Sequence, residues 1–271
     1  MQKNILITGA TDGIGFEAAK MLLQQGHTVL LHGRNPEKIE TVCKSLAQHN
    51  DKGSLQSYQA DLANLQDVLT LSQEIQQNHE QIDVVINNAG VFKTNHPTAA
   101  NGLDVRFVVN TIAPYLLTKK LLPLVPESGR IINVSSAAQA PVDLQAMQGQ
   151  VKLPDNAAYA QSKLAIVMWS NYLAASLKAK AMILSVNPGS LLGSKMVKEA
   201  FGIAGGDVAI GGKILARTSL EETFANASGQ YFDNDSGQLA QPHPDALDTQ
   251  KNTALVTSIE SILSRVIPEK L

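Results

Sequence analysis

Short runs of Val, Ile and Leu alternate along the chain with longer stretches whose apolar residues recur at helical spacing. A run that is apolar at every position marks a strand buried on both faces. Its regular alternation with amphipathic segments marks a parallel sheet covered by helices on both sides. The pattern predicts strands near 3–8, 28–32, 54–60, 82–87, 129–135, 181–187 and 229–232. Between them it predicts helices near 13–24, 36–49, 64–78, 101–122, 156–178 and 206–219, with a last one near 245–265. The expected fold is α/β, a doubly wound parallel sheet of seven strands carried by a single domain over residues 1–271. Two segments break the rhythm, 137–156 and the glycine-rich 190–212. Both follow strand ends, where open α/β sheets bind their ligands, so they read either as insertions on the substrate side or as plain solvated loops.

The first strand runs directly into Thr8-Gly9-Ala10-Thr11-Asp12-Gly13-Ile14-Gly15, and a good helix former, Phe16-Glu17-Ala18-Ala19-Lys20-Met21, follows. Such a turn can serve simple packing, but strand, glycine turn and helix in this order favour a phosphate site. Glycine lets the backbone approach a pyrophosphate, and the N–H groups and positive end of the helix dipole face the anion. No lysine follows Gly15 as a triphosphate-binding loop would require, so a dinucleotide is favoured over ATP. The second strand ends in Gly33-Arg34-Asn35 where an NAD site would offer an acid to the ribose hydroxyls. Arg34 can fork onto a 2′-phosphate, which makes NADP(H) the preferred cofactor and NAD(H) the other candidate; Arg34 as a solvated surface residue is the plain alternative. The third strand ends at Asp61-Leu62 and the fourth at Asn87-Asn88-Ala89-Gly90. Asp61 could accept from an adenine amino group or cap the next helix, and Ala89-Gly90 would leave room for the adenosine ribose or form an ordinary turn.

Charge and cysteine content narrow the class further. A net charge of -2 without a basic run removes the footprint of a nucleic-acid or membrane-surface binder and leaves a small molecule as the expected partner. Cys43 is the single cysteine, so no disulfide forms within the chain, and no metal site is expected. The first strand begins almost at Met1 and no apolar stretch approaches the roughly 20 residues that span a bilayer, so a cytoplasmic protein is expected.

Thr8-Gly9 through Gly13-Ile14-Gly15, Asn87-Asn88-Ala89-Gly90, Asn110, Ser136, Tyr159-Ala160-Gln161-Ser162-Lys163 and Asn187-Pro188-Gly189 stand in order. With these motifs the sequence resembles the short-chain dehydrogenase/reductase family over nearly its whole length. Tyr159 and Lys163 lie one helical turn apart, so both side chains emerge on one face. A phenol with an ordinary pKa of about 10 is a poor acid at neutrality, and a neighbouring ammonium is expected to lower it. In reduction Tyr159 would give a proton to a carbonyl oxygen while nicotinamide delivers hydride to carbon, and oxidation reverses both. The resemblance implies that Ser136, rather than Ser135, hydrogen-bonds that oxygen. It also implies that Lys163 binds the nicotinamide ribose, that Asn110 holds a water linked to Lys163, and that Pro188, Gly189 and the Leu191 backbone wall the nicotinamide. Thr11, Asp12, Ile14, Asn35, Leu62 and Asn88 complete the expected cofactor contacts.

The segment between Ser136 and Tyr159 is longer than the family's usual one, and this is similar to the retinol-dehydrogenase-like branch, which Gly33-Arg34-Asn35 and Gly229-Gln230-Tyr231-Phe232 also imply. That branch handles apolar carbonyls and alcohols. Ser194 falls one place later than the family's cofactor-contacting threonine and is not expected to take its role. A homodimer or homotetramer through the helices near 101–122 and 156–178 is implied for many relatives and stays open here. Two other functions compete: a non-catalytic NADP(H)-binding sensor or scaffold on the same fold, and an S-adenosylmethionine-dependent transferase, which explains neither Arg34 nor the Tyr159–Lys163 pair.

Overall fold

The fully apolar runs become inner strands because helices cover both their faces. In a computed structural model of the protein, residues 1–48, 52–177 and 181–268 are described. The strands are β1 (Asn4–Ile7), β2 (Thr28–Gly33), β3 (Ser54–Gln59), β4 (Val84–Asn87), β5 (Arg130–Val134), β6 (Met182–Asn187), β7 (Gln230–Asp233) and β8 (Gln238–Ala240). They form one sheet in the order β3-β2-β1-β4-β5-β6-β7-β8. All pairings are parallel except β7–β8. The eighth strand corrects the expected seven: β8 is only three residues long and largely exposed, so no apolar run announces it. β2 is buried throughout, whereas β3, at the edge, buries little besides Tyr58.

The helices are α1 (Gly13–Gln24), α2 (Pro36–Gln48), α3 (Leu65–Asn78), α4 (Val105–Phe107), α5 (Ala113–Leu121), α6 (Leu144–Met147), α7 (Asp155–Leu177), α8 (Lys195–Phe201), α9 (Val208–Leu220), α10 (Pro244–Leu247) and α11 (Thr249–Val266). The expected ends of the second and fifth helices, His49 and Lys178, lie outside the described residues. The helix expected from residue 101 begins later, because Gly102 takes φ +82° and Thr98 bridges to Asp104 before Asp104 caps α4. A π-helical stretch, Val108–Ile112, then joins α4 to α5. Two short helices, α6 and α8, lie inside the segments expected to be irregular, each started by a capping side chain, Asp143 and Ser194. The expected last helix is split into α10 and α11 at Asp248, which caps α11.

Two apolar cores result, one on each face of the sheet. The first gathers α1, α2 and α9 over one face, and the second gathers α3, α5, α7 and α11 over the other. α11 lays Leu255, Val256, Ile259, Ile262 and Leu263 into the core shared with α7. Its Glu260 takes hydrogen bonds from Tyr115 Oη and Lys119 Nζ of α5, each at 2.5 Å. The chain's own last helix therefore packs along α7 and reaches α5 through Glu260. The strand order reverses direction between β1 and β4, and the crevice outside their carboxyl ends is where this architecture binds ligands. Among the described residues no helix is long and apolar enough to cross a membrane.

Candidate active site

The turn after β1 closes against the end of β4 through two glycines that admit no side chain. A Cβ on Gly9, which takes φ +63°, would fall 2.8 Å from Ala89 Cα. One on Gly15 would fall 2.4 Å from Asn88 Nδ2 and 2.6 Å from the Gly9 oxygen. Asn88 braces the turn by donating from Nδ2 to the Thr8 and Gly9 oxygens at 2.9 and 3.1 Å. The hydroxyl of Thr8 accepts from the backbone N–H groups of Asn88 and Ala89 at 3.0 and 3.1 Å. Asp12 caps α1 by accepting from Gly13 N at 2.8 Å, while the next N–H groups, at Ile14 and Gly15, have no intrahelical acceptor. A turn of bare glycine backbone at a helix N-terminus fits the pyrophosphate of a dinucleotide.

His32, to which the sequence assigned no role, supports this turn from below. Its Nδ1 accepts from Gly9 N at 3.2 Å, which leaves the proton on Nε2, 3.1 Å from the Ala60 oxygen. Burial pulls its pKa down to about 4, so the ring is neutral near pH 7 and ties together the ends of β1, β2 and β3.

The turn after β2 lies against the first turn, since a Cβ on Gly33 would meet Thr11 Cγ2 at 2.5 Å. Arg34 and Asn35 are exposed, and Asn35 Oδ1 accepts from Lys38 N at 2.7 Å, holding the start of α2. Lys38 Nζ reaches back to Asp12 Oδ2 at 2.7 Å. Burial pushes the Asp12 carboxyl up, but the Lys38 ammonium and the Gly13 N–H outweigh it and hold the group below its usual range. Asp61 accepts from Ala63 N at 3.0 Å, and the cap of α3 is Asn64, not Asp61. Leu62 is buried in the core. Arg34 and Asp61 also line a depression of about 660 Å³ over the edge strand β3, with Tyr58, Glu74 and Asn78. Tyr159 and Lys163 are not part of its lining, so it is not the centre of the chemistry.

The other end of the crevice holds the phenol and the ammonium. A Cβ on Gly90 would stand 3.4 Å from Lys163 Nζ and 3.5 Å from Asn110 Oδ1, so the residue beside Ala89 touches both groups. Asn110 sits in the π-helical stretch and clasps Val91: Oδ1 accepts from Val91 N at 2.8 Å, and Nδ2 donates to the Val91 oxygen at 2.9 Å. Nδ2 also donates to Ser162 Oγ at 2.9 Å, which couples this helix to α7 between Tyr159 and Lys163. The Tyr159 ring packs on Phe92 with centroids 4.6 Å apart. Ser135 Oγ is spent on the Lys163 oxygen at 2.7 Å, whereas Ser136 Oγ accepts from Ala138 N at 3.1 Å and lies close enough to the Tyr159 hydroxyl to lower its pKa.

One electrostatic expectation is corrected. Lys163 Nζ lies 5.8 Å from the Tyr159 ring centroid and donates to the Val134 oxygen at 2.8 Å. Burial raises the Tyr159 pKa, with the Ser136 hydroxyl working against the rise, and burial pulls Lys163 down to about 8. Desolvation is the largest cause of both shifts: Lys163 is buried at the end of β5, and the half-buried Tyr159 ring lies against Phe92.

The remaining wall comes from the end of β6. Pro188 is buried, Gly189 takes φ +122°, and Leu191 adopts the left-handed φ of +51° that a leucine rarely holds. Asp235 fixes this bend, accepting from Asn187 Nδ2, Ser190 N and Ser190 Oγ at 2.9, 2.8 and 2.5 Å. Ser194, passed over in the sequence, lies against the phosphate turn: its Cβ is 3.6 Å from where a Gly13 Cβ would be. Met196 similarly reaches Gly90. No sequence spacing reports these contacts, because the start of α8 folds over the crevice from a distant part of the chain.

The short chain dehydrogenase family model matches residues 3–202. The chain is 30% identical over 268 residues to human retinol dehydrogenase 13, covering 92% of this chain and 80% of that protein. It is similar to a short chain dehydrogenase from Shigella flexneri 2a solved in complex with NADP, with TM-score 0.68, 26% identity, and 86% and 97% of the two chains covered. The fold is also that of a protein from Mycobacterium paratuberculosis, with TM-score 0.80, 23% identity, and 96% and 93% covered.

Proposed function

The chain belongs to the short-chain dehydrogenase family, on its retinol-dehydrogenase-like branch, and from that premise we propose that it reduces or forms an apolar carbonyl with NADP(H), Tyr159 acting as general acid and base. An NAD(P)-dependent dehydrogenase acting on alcohol and carbonyl groups is what the family membership establishes, and it sets aside the sensor and transferase readings. One observation carries the finer reading. Ala89 packs on Gly9 while the adjacent Gly90 touches Lys163, so the phosphate turn and the phenol–ammonium pair share one crevice.

The nicotinamide, when bound, supplies or accepts hydride at the substrate carbon. Tyr159 moves the proton at the substrate oxygen, and Ser136 beside it donates a hydrogen bond to the same oxygen and stabilises its charge. Lys163 contributes its ammonium beside the phenol and a donor for the ribose, and Asn110 holds the helix that carries both. Gly9, Thr11, Asp12, Gly13, Ile14 and Gly15 would take the pyrophosphate; Arg34 and Asn35 the 2′-phosphate side; Asp61, Leu62, Asn88, Ala89 and Gly90 the adenosine; Pro188, Gly189 and Leu191 the nicotinamide. Exposed Leu191, Ile203 and Ile210 on the 190–212 segment support an apolar substrate.

The test is cofactor oxidation with aldehydes, ketones and quinones of graded hydrophobicity, using NADPH and NADH in parallel. Turnover favouring NADPH and rising with apolar substituents is expected. Turnover confined to charged substrates, or to NADH, would overturn the finer reading. A monomer is expected in sedimentation, because pairing α7 with a second copy would require displacing α11; a dimer broken by substitutions on α7 would contradict it.

A further inference from the structure

The turn between β7 and β8, Asp233-Asn234-Asp235-Ser236-Gly237, lies outside residues 3–202, the stretch that the family model matches. Asp, Asn, Ser and Gly are ordinary turn formers, and a hairpin needs nothing more of them. Here three of the side chains are spent elsewhere, on the end of β6. Asp233 Oδ1 accepts from Asn187 Nδ2 at 2.7 Å, and Asn234 Nδ2 donates to the Pro188 oxygen at 2.9 Å. Asp235 takes the rest: Oδ1 accepts from Ser190 N at 2.8 Å, and Oδ2 from Asn187 Nδ2 and Ser190 Oγ at 2.9 and 2.5 Å. The segment so held is costly to hold. Gly189 takes φ +122°, and Leu191 is the one residue other than glycine with positive φ among the described residues. Such a conformation persists only where its surroundings impose it. Leu191 is 51% exposed, so the packing of its own side chain does not impose it. Its oxygen accepts from Gly206 N at 2.9 Å on the far side, and the Asp235 carboxylate holds the near side. Asp235 is itself exposed, where water screens its contribution to overall stability. Its place beside the bend, and not its contribution to the fold, calls for a role.

We propose that Asp235 is a positioning residue for hydride transfer, which fixes the bend of residues 188–191 and thereby sets where the nicotinamide ring comes to rest. The inference rests on the reading above that this segment walls the nicotinamide. Asp235 acts through Ser190, Asn187 and the backbone they carry, not on the reacting atoms. Hydride passes only between carbons held close and in line, and a misplacement of about 1 Å can cost roughly a hundredfold in rate. A carboxylate suits the task, because its two oxygens accept three hydrogen bonds from one short segment and a charged acceptor strengthens each. Burial pushes the Asp235 carboxyl up, but Ser190 and Asn187 outweigh it and hold the group below its usual range, so it is ionised near neutrality.

The test compares binding of NADPH with that of 2′-phospho-ADP-ribose, the same molecule without its nicotinamide, and adds kcat and melting temperature. It uses the wild-type protein, Asp235→Ala, Asp235→Asn, Ser190→Ala and the Asp235→Ala/Ser190→Ala double variant, with NADH and ADP-ribose as the parallel pair. Asp235→Ala is expected to lower kcat about tenfold to a hundredfold and to weaken NADPH about threefold or more, with 2′-phospho-ADP-ribose unchanged within about twofold. The melting temperature should move by less than about 3 °C. Asp235→Asn keeps an acceptor for Ser190 N but turns a donor towards Asn187, and should fall between. Ser190→Ala should show the same pattern more weakly, and adding it to Asp235→Ala should cost little further, since both remove one contact. Unchanged kcat in Asp235→Ala, or equal weakening of both ligands together with a large fall in melting temperature, would overturn the proposal. Gly189→Ala strains the bend directly and separates this proposal from the reading beneath it. If Gly189→Ala lowers kcat and NADPH affinity while Asp235→Ala does neither, only the role of Asp235 falls. If Gly189→Ala changes neither, the segment does not wall the nicotinamide and both readings fall together.

Discussion

Tyr159→Phe is expected to lower turnover by about a hundredfold to ten-thousandfold, the usual contribution of a positioned general acid, while NADPH affinity and melting temperature stay close to wild type. The substitution removes one hydroxyl and keeps the ring that packs on Phe92 at 4.6 Å, so little but the proton donor is lost. Turnover within tenfold of wild type would remove Tyr159 from the mechanism. The pH profile adds a second reading. Burial keeps the Tyr159 phenol protonated through neutrality, the form that reduction requires. Lys163, pulled down to about 8, carries its charge below that pH and loses it above. The reductive rate constant should therefore hold level up to about pH 8 and decline beyond it, as the ammonium beside the phenol disappears. In Lys163→Met the decline near pH 8 should vanish together with most of the activity.

Arg106→Met should cost about 3 kcal/mol of stability, the lower end of what is lost when one partner of a buried ion pair is removed. At a few degrees per kcal/mol, the melting temperature should fall by roughly 6–12 °C. Arg106 is 1% exposed and clasps Asp104 twice, from Nε at 2.8 Å and Nη2 at 2.5 Å. Its Nη1 pairs with Asp155, which is 46% exposed, so water screens that arm and the Asp104 arm carries more of the effect. Burial alone would lower the Arg106 pKa, but the two carboxylates raise it. Asp155 opens α7 one turn before Tyr159, so activity should drop with stability. Arg106→Lys keeps the charge without the planar fork and should fall between the two. A melting shift under about 3 °C would show the cluster to be dispensable for the fold.

Arg106 also shows where sequence reading ends. The residue stands in Asp104-Val105-Arg106-Phe107, two places after an acid, and nothing local reports that Asp155 will meet it. The same holds for Ser194 and Lys38, whose crevice partners Gly13 and Asp12 lie on other elements. By contrast the glycine turn after β1 was legible, because strand, glycines and helix are contiguous in the chain. Tyr159 and Lys163 were legible as a pair for a similar reason: helical spacing alone puts them on one face.

The sign of the Tyr159 shift was misjudged from spacing, since a neighbour in sequence says nothing about solvent. Likewise the short, exposed strand β8 and the short helices α6 and α8 escaped the hydrophobic pattern. An antiparallel edge strand needs no continuous apolar run, and a helix of one or two turns is too short to establish a period.

What the sequence by itself determined was whatever depends on near neighbours: the alternation of elements, the glycine turn, the arginine in place of an acid after β2, and the shared face of Tyr159 and Lys163. Only the tertiary structure decided how deeply that pair is desolvated, that Ser135 is spent on the Lys163 oxygen, that α11 packs on α7, and that Lys38 spans to Asp12. Backbone geometry repeats over a few residues and can be read from spacing, whereas burial and cross-chain contact arise only when distant segments pack together.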